Sequence, residues 1–304
     1  MPLDPQIYHL LELEREAQVP RAYEQTVAAA RAAMEQRQRQ PGPSMASEED
    51  RVIPGPNSDI PIRVYRPREA TGAGLVYFHG GGWVLGNLDT HNFQCRSLAQ
   101  RAGCMVVAVH YRRAPEHRFP AAALDAYAAA EWVCTNAGAL DVDPARIGVT
   151  GESAGGNLAA VTCLMARDRG GPPLKLQLLL YPVIDHSFRT QSYQQNGAYG
   201  LDLPSMVWFW THYLGPDQDG FDPHASPLQA QSLTGLPRAI VVTSEFDVLR
   251  DEGAAYANRL REAGITVEYR CVPGVNHAFL GMPVDAAGKA FDEIGALLRA
   301  GFAA

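Results

Sequence analysis

Apolar positions fall along this chain in two rhythms, short unbroken runs and longer stripes at helical spacing. Residues 74–78 and 104–109 read Gly-Leu-Val-Tyr-Phe and Cys-Met-Val-Val-Ala-Val. Continuous runs of this kind suit parallel strands covered on both faces. Residues 146–150, 174–181, 239–243 and 266–272 have the same character. Between the runs, residues 92–101, 120–134, 154–167, 252–263 and 286–300 read as helices, several of them rich in alanine. That alternation predicts an α/β fold with a mainly parallel sheet. Residues 51–53 and 62–65 flank a turn-rich stretch at 54–59 and add an antiparallel pair.

Two intervals break the rhythm. Residues 3–40 read as helix before the first strand, with Ile7, Leu10, Leu11 and Leu13 on one stripe and 27–34 on another. Pro20 separates the two because it fits poorly inside a helix, and Pro41-Gly42-Pro43-Ser44 ends the segment. Residues 183–236 carry no strand pattern but hold Tyr193, Tyr199, Met206, Trp208, Phe209, Trp210 and Tyr213. An aromatic insertion between strands predicts a lid over a site. The chain has no internal repeat or low-complexity tract.

Composition narrows the picture. A chain of 304 residues is long enough for one large α/β domain with a substantial core. A net charge of -7 without a dense basic run argues against a nucleic-acid partner. No apolar run approaches the roughly 20 residues that span a bilayer, and the N-terminus lacks a basic-then-apolar leader pattern. No membrane partner is therefore expected, and the cytoplasm is the expected location. Cys95, Cys104, Cys134, Cys163 and Cys271 are odd in number and widely spaced. They suggest buried packing thiols, with neither a disulfide framework nor a metal site.

The candidate chemistry begins at Gly151-Glu152-Ser153-Ala154-Gly155-Gly156. β-Branched residues precede it and Leu158-Ala159-Ala160-Val161 follows, so a strand must turn sharply into a helix with Ser153 at the bend. The flanking glycines relieve crowding there, and the helix N-terminus favours developing negative charge. A serine needs a base, and the base needs an orienting group. In the order serine, acid, histidine, each partner belongs on a loop after a late strand. Asp247 lies just beyond 239–243 and His277 just beyond 266–272. Glu245 is a rival acid closer to the strand. Asp251 is expected to cap the helix that follows. His91, His117, His186 and His224 come too early or fall in the insertion, and read as structural hydrogen-bonders.

His79-Gly80-Gly81-Gly82-Trp83 ends the strand at 74–78. Consecutive glycines leave backbone N–H groups unshielded, and such groups hold an oxyanion. The amides of Gly80, Gly81 and Ala154 are the expected three donors, with His79 fixing the loop. Trp83, Tyr199, Leu201, Met206, Trp208 and Phe209 are candidate substrate contacts, although helix-spaced aromatics are more often core.

Together these motifs resemble the hormone-sensitive lipase family of α/β-hydrolase carboxylesterases, the bacterial family IV. The resemblance rests also on Tyr111-Arg112-Arg113-Ala114-Pro115-Glu116-His117, on Phe119-Pro120-Ala121-Ala122, on Tyr181-Pro182 and on residues 247–253. It implies an α/β-hydrolase fold with a mostly parallel sheet of about eight strands, flanked by helices. It implies one domain over 1–304, with a helical cap from 1–45 and about 183–225 and a catalytic core from 46–182 and 226–304. It implies the triad Ser153, Asp247 and His277, small acyl esters of short to medium chain as substrates, and no cofactor or metal. The last strand is a candidate sheet edge, and the resemblance allows a homodimer through it. Amidase, deacetylase or lactonase action by the same triad remains open, as does a non-catalytic ligand-binding relative. Two departures stand out. Glu152 replaces the family's usual Asp and reads as a supporting residue behind the serine. Ala278 replaces the usual Gly, and ordinary backbone angles are expected there.

Overall fold

A computed structural model describes residues 2–37 and 40–304. The eight strands are β1 (Ser47–Ile53), β2 (Ile60–Arg66), β3 (Gly74–Phe78), β4 (Met105–Val109), β5 (Ile147–Glu152), β6 (Leu176–Leu180), β7 (Arg238–Phe246) and β8 (Val267–Asn276). They form one sheet in the order β1-β2-β4-β3-β5-β6-β7-β8. The first two strands join antiparallel, and every pairing from β4 to β8 is parallel. Both pairings predicted from the apolar runs are present, and β1 and β8 are the two edges.

The parallel strands are buried on both faces because two layers of helix cover them. One layer holds α4 (Ala121–Thr135), α5 (Ala154–Arg169) and α8 (Arg250–Glu262), packed on Val107, Val109, Val149 and Leu179. The other holds α3 (Asn92–Ala102) and α9 (Asp285–Ala303), packed on Val106, Ala108, Leu178 and Leu180. Alternate residues of one strand thus enter different cores, which is why the runs show no polar alternation. Residues 154–166 of α5 are all buried, so this helix lies within the protein.

The N-terminal segment forms α1 (Pro5–Glu16) and α2 (Val27–Gln36), with a single 3-10 turn at Ala22–Glu24 between them. Asp4 caps α1 by accepting from Gln6 N at 2.8 Å, and its own amide donates to Gly274 O at 2.8 Å. Arg31 on α2 reaches the carbonyls of Val84 at 2.9 Å and Ala114 at 2.8 Å, and forms a two-pronged pair with Glu116. The 183–236 interval contains α6 (Gln191–Gln195) and α7 (Leu203–Tyr213) and no strand. Of the N-terminal segment expected in the cap, residues 1, 38 and 39 lie outside the described residues.

Three cysteines are buried as expected and Cys134 is half-buried, but Cys271 is exposed on the β8 edge. Among the described residues, no helix is long and apolar enough to cross a membrane.

Candidate active site

Four of the polar residues singled out in the sequence each stand first beyond a parallel strand. His79 follows β3, Ser153 follows β5, Asp247 follows β7 and His277 follows β8. Strand register then brings them together: Phe78 pairs with Gly151, and Phe246 pairs with Asn276. The loops at the carboxyl ends of an open α/β sheet are where such folds bind ligands.

Ser153 sits at φ 56° and ψ -119°, a conformation that L-residues avoid. Three backbone hydrogen bonds hold it: its amide donates to Leu180 O at 2.9 Å, and its carbonyl accepts from Asn157 N and Val183 N at 3.1 Å. The neighbouring glycines are required by close approach. A Cβ on Gly155 would stand 1.9 Å from Phe78 O, and one on Gly151 would stand 2.3 Å from Gly155 C. Asn157 ties α5 to the chain beyond β6 by donating to Val183 O at 3.0 Å and Ala225 O at 2.8 Å.

His277 Nε2 lies 3.0 Å from Ser153 Oγ, and Nδ1 lies 2.7 Å from Asp247 Oδ2. A carboxylate only accepts, so Nδ1 carries the proton and Nε2 presents its lone pair to the serine hydroxyl. Asp247 is buried, and its other oxygen accepts from Leu249 N at 3.0 Å. Asn196 on the insertion donates to the carbonyl of Asp247 at 3.0 Å, a contact that nothing in the sequence indicated. The rival acids are occupied elsewhere. Glu245 accepts from Gly274 N at 2.7 Å, which holds its carboxyl below the usual range. Asp251 does not cap α8 as expected. It accepts from Ser192 N at 2.8 Å and pairs with Arg250.

Glu152 is buried behind the serine, and its two oxygens accept from the hydroxyls of Tyr77 and Tyr181, the latter at 2.7 Å. Burial first, then the Glu152 charge, pushes both phenols well above their ordinary range. The Tyr181 ring in turn stands edge-on to His277, with centroids 5.2 Å apart. The Glu152 carboxylate therefore joins two phenols, one of which borders His277.

The triple-glycine loop differs from expectation at one donor. The amide of Gly80 donates to His91 Nε2 at 3.2 Å, so it is engaged outside the serine site. His79 donates from Nδ1 to Gly80 O at 2.8 Å, stacks on Tyr111 at 4.2 Å, and burial lowers its pKa well below the ordinary value. His110 stands 5.9 Å from His79, and burial followed by the Arg113 charge pushes its pKa down to about 4. No such cluster of histidines was evident in the sequence, because these three lie on separate elements.

The candidate substrate contacts divide. Trp83 is fully buried, stacked on Tyr213 at 4.0 Å with nearly parallel rings, and is a packing residue. Met206 is also buried, as the helical spacing of α7 favours. Phe209 lies against Gly82, where an added Cβ would stand 2.1 Å from its ring. Tyr199 is half-buried; its carbonyl accepts from Asn276 Nδ2 at 2.9 Å, beside the histidine. Leu201 and Trp208 are half-buried and pack against the larger core. Ala278 also departs from expectation, standing in the left-handed region at φ 59°.

Residues 75–281 match a family model described as the alpha/beta hydrolase fold. The chain belongs to the α/β-hydrolase family. The carboxylic ester hydrolase LipN of Mycobacterium tuberculosis is 46% identical over 257 residues, covering 80% of this chain and 67% of its own. The ethyl acetate hydrolase of Pseudomonas putida is 41% identical over 229 residues, covering 73% of this chain and 72% of its own. Among solved structures, an esterase from the archaeon Pyrobaculum calidifontis superposes with TM-score 0.91 at 40% identity, over 99% of each chain. An ester hydrolase from the Lake Arreo metagenome superposes with TM-score 0.94 at 39% identity, over 99% of this chain and 100% of its own. The protein is a carboxylic ester hydrolase of the hormone-sensitive lipase-like branch.

Proposed function

We propose that Ser153, His277 and Asp247 carry out ester hydrolysis in two acyl-transfer steps. The observation that supports this most directly is the unbroken chain from Asp247 through His277 to Ser153 Oγ, at 2.7 and 3.0 Å. His277 takes the serine proton as Ser153 attacks the ester carbonyl, then returns it to the departing alcohol. A water activated by the same Nε2 releases the acid. Asp247 fixes the imidazole tautomer and stabilises the imidazolium. The oxyanion is held by the amides of Gly81, Gly82 and Ala154, which replace the set that included Gly80. Ala154 opens α5, so its N–H has no partner within the helix.

In this reading α1, α2, α6 and α7 make the cap, and Phe209 and Tyr199 border the ester from the cap side. Substrates are small esters of short to medium acyl chain. The described β8 edge supports a homodimer, and five unpaired cysteines fit a cytoplasmic location. Replacing Ser153 with Ala is expected to lower kcat/KM for a short p-nitrophenyl ester at least about a thousandfold and to abolish labelling by a fluorophosphonate. Retention of activity within tenfold of the parent would sink the assignment.

A further inference from the structure

Two histidines beside the triple glycine hold successive peptide planes. The plane joining residues 79 and 80 is held at both ends. Its carbonyl, on His79, accepts from the Tyr111 hydroxyl at 2.8 Å, and its N–H, on Gly80, donates to His91 Nε2 at 3.2 Å. The next plane is held by the Gly80 carbonyl, which accepts from His79 Nδ1 at 2.8 Å. Both peptides are trans, so carbonyl and N–H point in opposite directions across each plane. Drawing the Gly80 carbonyl toward the His79 ring therefore turns the Gly81 N–H away from it. Gly80 itself lies against the serine turn: a Cβ there would stand 3.2 Å from Glu152 O and 3.7 Å from Ser153 Cβ.

His91 can accept from Gly80 in only one tautomer, and its surroundings select that form. Nδ1 is 2.8 Å from Thr90 Oγ1, whose own hydrogen is given to Asn87 O at 2.8 Å. Thr90 must then accept, Nδ1 must carry the proton, and Nε2 presents a lone pair. The ring is buried, with its centroid 5.5 Å from that of His79 and 6.3 Å from that of Tyr77. A side chain so enclosed, holding one backbone N–H beside the nucleophile, has a narrower task than general packing.

We propose that His91 is a positioning residue for the reaction: its Nε2 holds the 79–80 peptide so that the Gly81 and Gly82 amides face the oxygen of the ester attacked by Ser153. The inference rests on the acyl-transfer reading above. His91 touches no reacting atom and acts through Gly80.

The test compares hydrolysis of p-nitrophenyl butanoate by the parent and by His91→Leu, His91→Gln and Thr90→Val, with thermal melts of each. Leu removes the acceptor, Gln offers Oε1 near the place of Nε2, and Val removes the group that selects the tautomer. Oxyanion donors act on the transition state, so His91→Leu should lower kcat about ten- to a hundredfold with KM held within about twofold. His91→Gln should recover most of that loss, and Thr90→Val should fall between. If His91→Leu does not fold, the other two variants decide: Thr90→Val must lower kcat at constant KM while His91→Gln stays nearer the parent. The proposal is overturned by a kcat within twofold of the parent in folded His91→Leu, by Gln no better than Leu, or by losses confined to KM or melting temperature. Absence of ester hydrolysis in the parent, or full activity in Ser153→Ala, overturns the acyl-transfer reading instead.

Discussion

Backbone strain is gathered at the loops that hold the site. Ser153 at φ 56°, Ala278 at φ 59°, Trp83 at φ 60° and Tyr181 at φ 35° all stand where L-residues pay a steric cost. Each such residue costs on the order of 1–3 kcal/mol and persists only where its surroundings over-determine it. Ser153 has three backbone hydrogen bonds, and Trp83 has the stacked Tyr213 ring. Ala278 has less: its carbonyl accepts from Gly281 N at 3.1 Å in the 3-10 turn that follows His277. Glycine tolerates this region without a Cβ penalty, at some entropic cost in the unfolded chain. Ala278→Gly should therefore raise the melting temperature by about 1–3 °C, read by calorimetry, and leave kcat unchanged. A lower melting temperature would mean that the loop relaxes around the alanine. Nothing in the residue string around 278 shows its φ, which belongs to the junction between His277 and the 3-10 turn at Phe279–Gly281.

At the scale of elements, the important joint is between α7 and the glycine loop. Phe209 fills the space where Gly82 lacks a side chain, and Trp83 stacks on Tyr213 one turn further along the same helix. Helix α7 thus packs directly on the triple-glycine loop, whose first glycine lies against the Ser153 turn. Gly82→Ala adds a methyl group into the Phe209 ring and demands φ 59° of an alanine. We expect it to lower kcat/KM at least about tenfold. Adding Phe209→Ala should recover part of that loss, because only the collision is relieved and the backbone demand remains. Independent effects of the two substitutions in a double-mutant cycle would show that the helix and the loop are not coupled. The apolar spacing of α7 was readable as a stripe, but the element it packs against was not. Helical periodicity reports which side of a helix is buried and carries no information about the partner.

For the whole molecule, two cores on opposite faces of one sheet fix the positions of four loops at once. Because β3, β5, β6, β7 and β8 are parallel neighbours, with β6 alone between β5 and β7, their carboxyl ends lie along one edge of the fold. Helix α7 is 11 residues long and closely packed, with Met206, Phe209, Trp210 and Tyr213 all buried. In the proposed reading these buried side chains of α7 stand on the acyl side of the site and favour a short chain. A series of p-nitrophenyl esters should therefore peak at about four to six acyl carbons, with emulsified long-chain triglyceride cleaved more slowly. Faster cleavage of the triglyceride would overturn this reading of α7.

Much of this was determined by the sequence alone. Continuous apolar runs gave the parallel strands because both faces of each strand are buried, and the runs alternate with helical stripes. Gly151-Glu152-Ser153-Ala154-Gly155 required a sharp turn, and Asp247 and His277 stood where strands end, so the residues of the candidate site were readable in order. Tertiary structure decided the rest. It turned the Gly80 amide toward His91, set Ala278 at φ 59°, buried Trp83, moved Asp251 from a cap to a tie on Ser192, and linked Glu152 to two phenols. The division has a physical cause. Periodicity and turn chemistry are local and are written in neighbouring residues. The direction of an amide, the partner of a buried carboxyl and the φ of a loop residue depend on groups tens of residues away.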